Sequence, residues 1–307
     1  MRLVFLGTPV DAVAPLRALV EAGHEVALVL TQPDRRRSRG GGDDPSPVKQ
    51  AATELGIPVL TPTRAREAIA DVAATGAQLG VVVGFGQLLP PAFLDALPHG
   101  FVNLHYSLLP RWRGAAPVER AILAGDTETG VCLMRIEEGL DTGGVYASVS
   151  TPIEPEETAG ELRARLTALG TRLLVEHLPL VPETEPVPQE GEPTYAEKLT
   201  VDEFRIDGSR PALEVARVVR AGNPRPGAWM VVDGKRIKVW RARLDSGEGE
   251  PGEGEPGVVR RPGELVTTAG VLRLDEVQPE GKARMTGQAW MAGLRERALP
   301  VETVDAS

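Results

Sequence analysis

The chain has 307 residues, of which 42% are apolar and 25% charged, and its formal net charge is −9. This length allows two domains, and the negative charge argues against a protein that coats nucleic acid generally. No apolar run approaches the about 20 residues that a membrane span needs, and the single cysteine, Cys132, excludes an intramolecular disulfide.

Strand-like and helix-like segments alternate over the first 180 residues. The apolar runs predict strands at residues 2–6, 26–30, 57–60, 79–83, 101–104, 131–136 and 145–149. Helical spacing of apolar residues predicts helices at residues 10–22, 47–55, 117–124 and 157–178. This alternation predicts an α/β, Rossmann-like fold, in which a mostly parallel sheet is flanked by helices.

The pattern changes after a segment rich in proline and glutamate, residues 179–193, which has no periodicity and reads as a linker. Beyond it, one helix is predicted, followed by short strands between Gly/Pro turns: 210–220, then 228–232, 236–241, 257–259, 265–268 and 271–277. Such strands predict a smaller C-terminal β-barrel of the OB-like kind. We therefore expect domains at 1–180 and 205–307, joined by a linker at 181–204.

Charge is distributed unevenly between these parts. Residues 152–194 carry a net charge of −6, whereas residues 205–245 carry +6. Clustered charge of this kind occurs on ordinary solvated surfaces, and it also forms local patches that bind a phosphate backbone. Charge alone leaves both interpretations open.

The most informative motif is FVNLHYSLLPRWRGAAP at residues 101–117. Side chains two apart on a strand point the same way, so Asn103 and His105 project together from the end of a strand. In α/β sheets, ligands bind at the carboxyl ends of strands. A lone histidine is more often structural, and the pairing with Asn103 favours a functional one.

A carboxylate follows in the glycine-rich loop EGLDTGG, where Asp141 either caps a turn or approaches the same site. An amide, an imidazole and a carboxylate without a nucleophilic serine or cysteine suit amine attack on an activated acyl carbon. The amide and the imidazole would donate hydrogen bonds to the developing oxyanion, and the carboxylate would help move the amine proton. One His and one Asp are too few ligands for a metal, so no metal is expected.

Three further segments each have two readings. The turn at residues 7–9 could bind phosphate, but it lacks the three-glycine spacing of a dinucleotide loop. The two glycines of residues 84–89 either let a ligand ring approach the backbone or form a plain turn. Residues 32–49 contain four arginines, among them Arg39, and form either a mobile surface loop or a basic finger for RNA.

These motifs are similar to those of a known family. The run NLHYSLLPRWRGAAP with GLDTG downstream resembles the folate-dependent formyltransferases. The start FLGTP, the segment TQPD…PSPVK, TYAEKLT after the linker and NPRPGAWM extend the resemblance nearly end to end. The last two motifs resemble the members of the family that act on methionyl-tRNA in bacteria and organelles.

The resemblance implies transfer of a formyl group from 10-formyltetrahydrofolate, as donor co-substrate, to the amino group of methionine on initiator tRNA. It implies that Asn103, His105 and Asp141 are catalytic and that Arg39 meets the tRNA acceptor stem. The residues implied to line the folate site are Ser107, Leu108, Leu109, Pro110, Leu88 and Leu89.

Family members often carry lysines after the loop arginine, where this chain has Gly41, Gly42 and Asp43. The resemblance further implies a bacterial cytoplasmic enzyme with no membrane partner, and we expect a monomer. Two alternatives remain at this point. One is a formyltransferase for a nucleotide sugar or glycinamide ribonucleotide, which has no use for a basic barrel. The other is a noncatalytic RNA-binding protein built on an inactive transferase domain.

Overall fold

The structure is a computed structural model that describes residues 1–36, 43–245 and 254–302. The chain forms two compact units. The first contains Met1–Pro117, Glu128–Pro152 and Arg163–Glu197. The second contains Val118–Thr127, Ile153–Leu162 and the described residues from Lys198 onward.

The first unit is built on a seven-stranded sheet and two short ribbons. Its strands are β1 (Arg2–Gly7), β2 (Glu25–Leu30), β3 (Arg35–Arg36), β4 (Asp43–Asp44), β5 (Val59–Leu60), β6 (Leu79–Val83), β7 (Phe101–His105), β8 (Arg113–Gly114), β9 (Glu128–Arg135), β10 (Val145–Pro152) and β11 (Tyr195–Ala196). The sheet has the order β10-β9-β7-β6-β1-β2-β5. The strands from β7 to β5 are parallel, and β9 and β10 are antiparallel. The ribbons pair β3 with β4 and β8 with β11.

Helices alternate with the strands, as the sequence predicts, and α6 follows the antiparallel strand β10. They are α1 (Val13–Glu21), α2 (Pro47–Glu54), α3 (Ile69–Ala74), α4 (Pro91–Leu94), α5 (Pro117–Ala124) and α6 (Ala159–His177). The start of α2 shows the local cause: Pro47 occupies the first turn, and the Ser46 hydroxyl accepts a hydrogen bond from the Lys49 amide. The α/β fold class is confirmed.

The position of β7 follows from burial. Its parallel neighbour β6 and the next strand, β1, are apolar along almost their whole length and buried, which is typical of parallel strands covered on both faces. Phe101 at the start of β7 packs against Phe93 of α4, with ring centroids 5.1 Å apart. The close-packed sheet therefore fixes β7, and with it the direction of the polar side chains at its end.

In addition to nearly all of α5 and the first turn of α6, the second unit contains a six-stranded antiparallel sheet and two further helices. Its elements are β12 (Ala228–Val232), β13 (Lys235–Leu244), β14 (Val258–Arg260), β15 (Glu264–Val266), β16 (Val271–Pro279), β17 (Ala298–Pro300), α7 (Ala212–Gly222) and α8 (Gly287–Ala292). The strand order is β12-β13-β16-β15-β14-β17. Val232 and Val301 form a bridge that joins β12 to the chain just after β17, so the sheet closes into a barrel around an apolar core.

Two elements of the barrel were not anticipated from the sequence. Helix α8 begins at a capped turn, because the Thr286 hydroxyl accepts a hydrogen bond from the Ala289 amide. Strand β17 contains a proline and is only three residues long, so it has no alternation to detect. Most of the acidic low-complexity run at residues 247–257 lies outside the described residues.

Cys132 lies on β9, directly opposite His105 of β7. Its side chain is buried, and burial raises the pKa of the thiol to about 11. None of the helices in the described ranges combines the length and apolarity of a membrane-crossing segment.

We predict that Cys132 resists alkylation in the folded protein. A thiol with a pKa of about 11 is almost wholly protonated at pH 8, and only the thiolate attacks iodoacetamide. Native labelling should be slower than labelling of the guanidinium-unfolded chain by about 10²-fold or more. The control is a Cys132→Ser protein carrying Ser150→Cys on the exposed side of β10, which should react rapidly. Equal rates for the native and unfolded protein would contradict the buried placement.

Candidate active site

Two polar side chains stand on one face of β7 near its carboxyl end. Asn103 is half-buried and pairs with Val82 of β6 and Met134 of β9, while His105 is buried and pairs with Cys132. They are two residues apart on a strand and therefore project to the same side. The central sheet fixes the backbone of both residues.

The imidazole of His105 lies between two oxygen atoms. Its Nε2 is 2.8 Å from the carbonyl oxygen of Trp112, and a carbonyl can only accept, so Nε2 carries a hydrogen. Its Nδ1 is 3.6 Å from Oδ2 of Asp141. That separation exceeds a hydrogen bond, and the pair is an ion pair when the ring is protonated. The structure thus brings His105 and Asp141 together.

Asp141 lies in the bend between β9 and β10 and is itself held by main-chain groups. Its Oδ2 accepts a hydrogen bond of 2.8 Å from the amide of Gly114. Its backbone has a φ of 51°, a left-handed conformation that few non-glycine residues adopt. Gly143 in the same bend must be glycine, because a Cβ there would lie 2.0 Å from the carbonyl oxygen of Arg135. The carboxylate is therefore fixed by the fold rather than free to swing.

Asn103 is different, because its side-chain amide is not committed to the protein. Among the described residues, no group hydrogen-bonds this amide. A half-buried donor that no described group engages is available to a ligand. It stands two residues from the paired imidazole, so a bound group could meet both.

The turn after β7 is held mainly by contacts within the protein. Ser107 is fully buried, and its hydroxyl donates to the carbonyl oxygen of Arg111 at 2.5 Å. Leu108 packs against Gly130, where a Cβ would lie 2.5 Å from Leu108 Cδ2. Leu109 and Pro110 are half-buried, and the Pro110 carbonyl accepts a hydrogen bond of 3.2 Å from the Thr194 amide. The Ser107 hydroxyl and the Leu108 side chain thus shape the turn, which leaves its backbone and half-buried surfaces to meet a ligand.

Leu88 and Leu89 follow β6, the strand beside β7. Leu88 is 83% exposed, a high value for a large apolar side chain, whereas Leu89 packs partly against the core. An exposed leucine beside the end of the central strands offers an apolar surface that a planar ring could cover.

Arg39, the residue implied to contact tRNA, lies outside the described residues. The two ends of its segment, β3 and β4, form an antiparallel ribbon. In the backbone register of this ribbon, Arg35 lies opposite Asp44 and Arg36 lies opposite Asp43. The described residues contain no cluster of three or more His, Cys, Asp or Glu side chains that could bind a metal ion.

The second unit carries cations stacked on two tryptophans. Trp229 of β12 has the guanidinium groups of Arg236 and Arg205 at 4.0 and 5.3 Å from its ring centroid. Trp240 of β13 has Arg284 at 3.6 Å and Lys238 at 5.6 Å. Residues alternating with these tryptophans are buried, so this is the face of the sheet opposite the core. The sequence indicates the positive charge of this region, but it does not indicate that these cations stack on the two tryptophans.

The site also uses residues that the sequence did not single out. Trp112 supplies the carbonyl for His105, and Gly114 supplies the amide for Asp141. Gln189 and Thr194, in the segment predicted as a linker, bond to the Asp141 bend and to Trp112. Backbone partners leave no mark on the residue type, and a segment without periodicity gives no signal of where it folds.

Comparison with known proteins identifies the family of this chain. Residues 1–178 match the family described as formyl transferase, and residues 198–295 match the formyl transferase C-terminal domain. A methionyl-tRNA formyltransferase of Ruegeria pomeroyi is 47% identical over 296 residues, which cover 95% of this chain and 97% of that protein. One of Dinoroseobacter shibae is 50% identical over 285 residues, covering 92% and 94%.

A solved structure, the N-formyltransferase from Helicobacter canadensis in complex with folinic acid and dTDP-3-aminofucose, has a TM-score of 0.64 at 17% identity. The match covers 88% of this chain and 97% of that one, and it supports the fold alone. The near-full-length relatives are more specific. The chain belongs to the formyl transferase family, in its methionyl-tRNA formyltransferase branch.

Proposed function

We propose that this protein transfers the formyl group of 10-formyltetrahydrofolate to the α-amino group of initiator methionyl-tRNA, giving N-formylmethionyl-tRNA for translation initiation. Relatives that match nearly the whole chain bear this activity in their names. The observation that carries the proposal is the distance of 3.6 Å between His105 Nδ1 and the Asp141 carboxylate. Asn103, two residues before His105 on the same strand, adds an amide donor beside this pair. An acid–base pair beside a hydrogen-bond donor suits amine attack on a formyl carbon.

Each of the three side chains has a separate role in this reaction. The amine nitrogen bonds to the formyl carbon, negative charge develops on the formyl oxygen, and the bond to folate N10 breaks. Asn103 donates to the charged oxygen, because its amide is not used by the protein. His105 stabilises the charge from its Nδ1 side, since Nε2 is engaged by Trp112. Asp141 orients the imidazole and assists the transfer of the amine proton to N10.

The residues around this centre fit a folate donor. We assign Leu88 and Leu89 to the pterin ring, because Leu88 presents an exposed apolar surface beside the central strands. The turn at 107–110 contributes its backbone and the half-buried surfaces of Leu109 and Pro110. Folate supplies the activated formyl group as a co-substrate, and the chain supplies its orientation and charge stabilisation.

For the tRNA, we assign Arg39 to the acceptor stem on the basis of the sequence motif. The cations around Trp229 and Trp240 support an RNA partner for the second unit, since they concentrate positive charge on a chain whose net charge is −9. This face is complementary to a phosphate backbone. It also disfavours the nucleotide-sugar and ribonucleotide alternatives, which do not need such a surface.

We retain the domain division at 1–180 and 205–307 with a connecting segment at 181–204. The matched ranges 1–178 and 198–295 support it, with the second boundary a few residues earlier. We further propose a monomer that acts in the bacterial cytoplasm, where aminoacyl-tRNA and folate donor are both present. Size-exclusion chromatography with light scattering tests the monomer.

The proposed function is tested by incubating the purified chain with 10-formyltetrahydrofolate and Met-tRNA. Formylation of initiator Met-tRNA, with no formylation of amino sugars or glycinamide ribonucleotide, is expected. Formylation of either small acceptor in place of Met-tRNA would refute the assigned acceptor, and tRNA binding without transfer would favour a noncatalytic RNA-binding protein.

We predict that His105→Ala and Asp141→Ala each lower kcat by about 10²-fold or more, because each removes charge stabilisation or proton transfer at the reacting centre. Steady-state formylation rates measure the effect, and thermal unfolding checks the fold. The control is Asp95→Ala, which removes an exposed carboxylate from the end of α4. Near-normal turnover by either variant would refute the assignment.

Asn103→Ala should lower kcat by about 10²–10³-fold, the usual cost of removing one oxyanion donor. Its melting temperature should stay close to that of the unchanged protein, because no described group hydrogen-bonds the amide. Calorimetry and initial rates on the same preparation separate the two quantities. A large loss of stability with normal kcat would assign Asn103 to structure instead.

Arg39→Ala should raise the KM for Met-tRNA by about tenfold, the value of one charge-assisted phosphate contact. The KM for 10-formyltetrahydrofolate should change little. Arg66→Ala, which removes an exposed arginine elsewhere in the first unit, serves as the matched control. An unchanged KM for tRNA, or an equal rise in both KM values, would count against the assignment.

A further inference from the structure

We propose that Gln189 is a positioning residue whose side-chain amide holds the bend that presents Asp141 to His105. The proposal rests on the proposed function, in particular on the catalytic role of Asp141. Gln189 lies in residues 187–196, the 187–196 segment. The sequence predicts this segment as part of the linker. Nothing in its composition, which is rich in proline and glutamate, points to catalysis.

Every polar atom of the Gln189 side chain is engaged near the site. Its Nε2 donates to the carbonyl oxygens of Asp141 and Gly143, each at 2.8 Å. Its Oε1 accepts from Arg113, at 3.0 Å from Nε and 2.7 Å from Nη2. Arg113 precedes Gly114, whose amide binds the Asp141 carboxylate. Gln189 therefore links the two pieces of backbone that hold Asp141.

The topology explains why the bend needs this support. Strand β9 passes His105 at Cys132 and ends at Arg135, opposite Val102. Three residues along a strand correspond to about 10 Å. The bend after β9 must therefore fold back along β7 for Asp141 to reach His105. The pairing of β9 with β10 does not by itself hold the bend in that position.

The conformation of Asp141 adds a second reason. Its φ of 51° is unfavourable for a residue with a side chain, and such a conformation persists only when the surroundings enforce it. The hydrogen bond from Gln189 to the Asp141 carbonyl is one of the contacts that enforce it. Without it, we expect the bend to relax and the carboxylate to move away from the imidazole.

The 187–196 segment is attached to this site chiefly by polar contacts. Val187 is 66% exposed and Tyr195 56% exposed, so neither of these large side chains anchors it in a core. Val187 forms a backbone bridge to Val145 at the end of the Asp141 bend. Tyr195 and Ala196 pair with β8. The segment therefore contacts both the Asp141 bend and β8, the two stretches of backbone beside His105.

Thr194 of the same segment supports the other side of His105. Its hydroxyl accepts a hydrogen bond of 2.8 Å from the Trp112 amide, and the carbonyl of Trp112 contacts His105 Nε2. One short segment thus braces both partners of the imidazole. A displacement of about 1 Å at a reacting centre can cost about 10²-fold in rate, so this bracing is expected to matter for turnover.

The test uses the full chain with Gln189→Leu, which removes all four hydrogen bonds, and Gln189→Glu, which keeps only an acceptor for Arg113. Both should lower kcat for Met-tRNA formylation by about tenfold to 10²-fold, with both KM values within about twofold of the unchanged protein. Gln78→Leu, at an exposed glutamine, is the matched control and should leave kcat unchanged. Thermal unfolding confirms that each variant is folded.

A double-variant comparison separates positioning from a general structural effect. In single-turnover assays, Gln189→Leu should lower the rate strongly in the unchanged protein and by less than about twofold when Asp141→Asn is already present, because a residue that acts through Asp141 has nothing left to position. Three results would overturn the proposal for Gln189 and leave the role of Asp141 intact. They are additive losses in the double variant, a rise in KM without a fall in kcat, and a normal kcat in Gln189→Leu while Asp141→Asn is impaired. Normal kcat in Asp141→Asn would overturn the role of Asp141 as well.

Discussion

The imidazole of His105 lies between the carbonyl of Trp112 and the carboxylate of Asp141, and the other features of the site depend on this arrangement. The ring is 5% exposed, so charges near it are weakly screened by water and interact more strongly than at a surface. Because Nε2 faces a carbonyl, the ring orientation is set by the backbone. The Nδ1 side is then the one that meets both the carboxylate and the reacting group.

Three stretches of chain, far apart in sequence, build this arrangement. A buried parallel sheet fixes β7, the bend after β9 brings back Asp141, and the 187–196 segment ties the bend to the turn around Trp112. Gly114 lets the 187–196 segment lie close to the backbone after Trp112, since a Cβ at position 114 would lie 2.7 Å from the carbonyl oxygen of Ala196. The site is thus preorganised by hydrogen bonds to main-chain atoms.

The fold and part of the site could be predicted from the sequence, and the physical reason differs between elements. Buried runs such as 79–83 predict strands because parallel strands are apolar on both faces, and the two-residue spacing of Asn103 and His105 places them on one face. The 187–196 segment could not be placed, because its hydrogen bonds depend on distant backbone atoms and not on periodicity. The same limit hid Trp112, which acts through its carbonyl, and the stacking of Arg284, which lies between β16 and α8, on Trp240 of β13.

A crystal structure of the protein with a stable 10-formyl folate analogue tests whether Asn103, His105 and Asp141 meet at the formyl group. In that complex, we expect the formyl oxygen about 3 Å from the Asn103 amide and within reach of the His105 ring, with Asp141 still beside Nδ1. A formyl group bound more than about 6 Å from both side chains, with no movement able to close the gap, would contradict it.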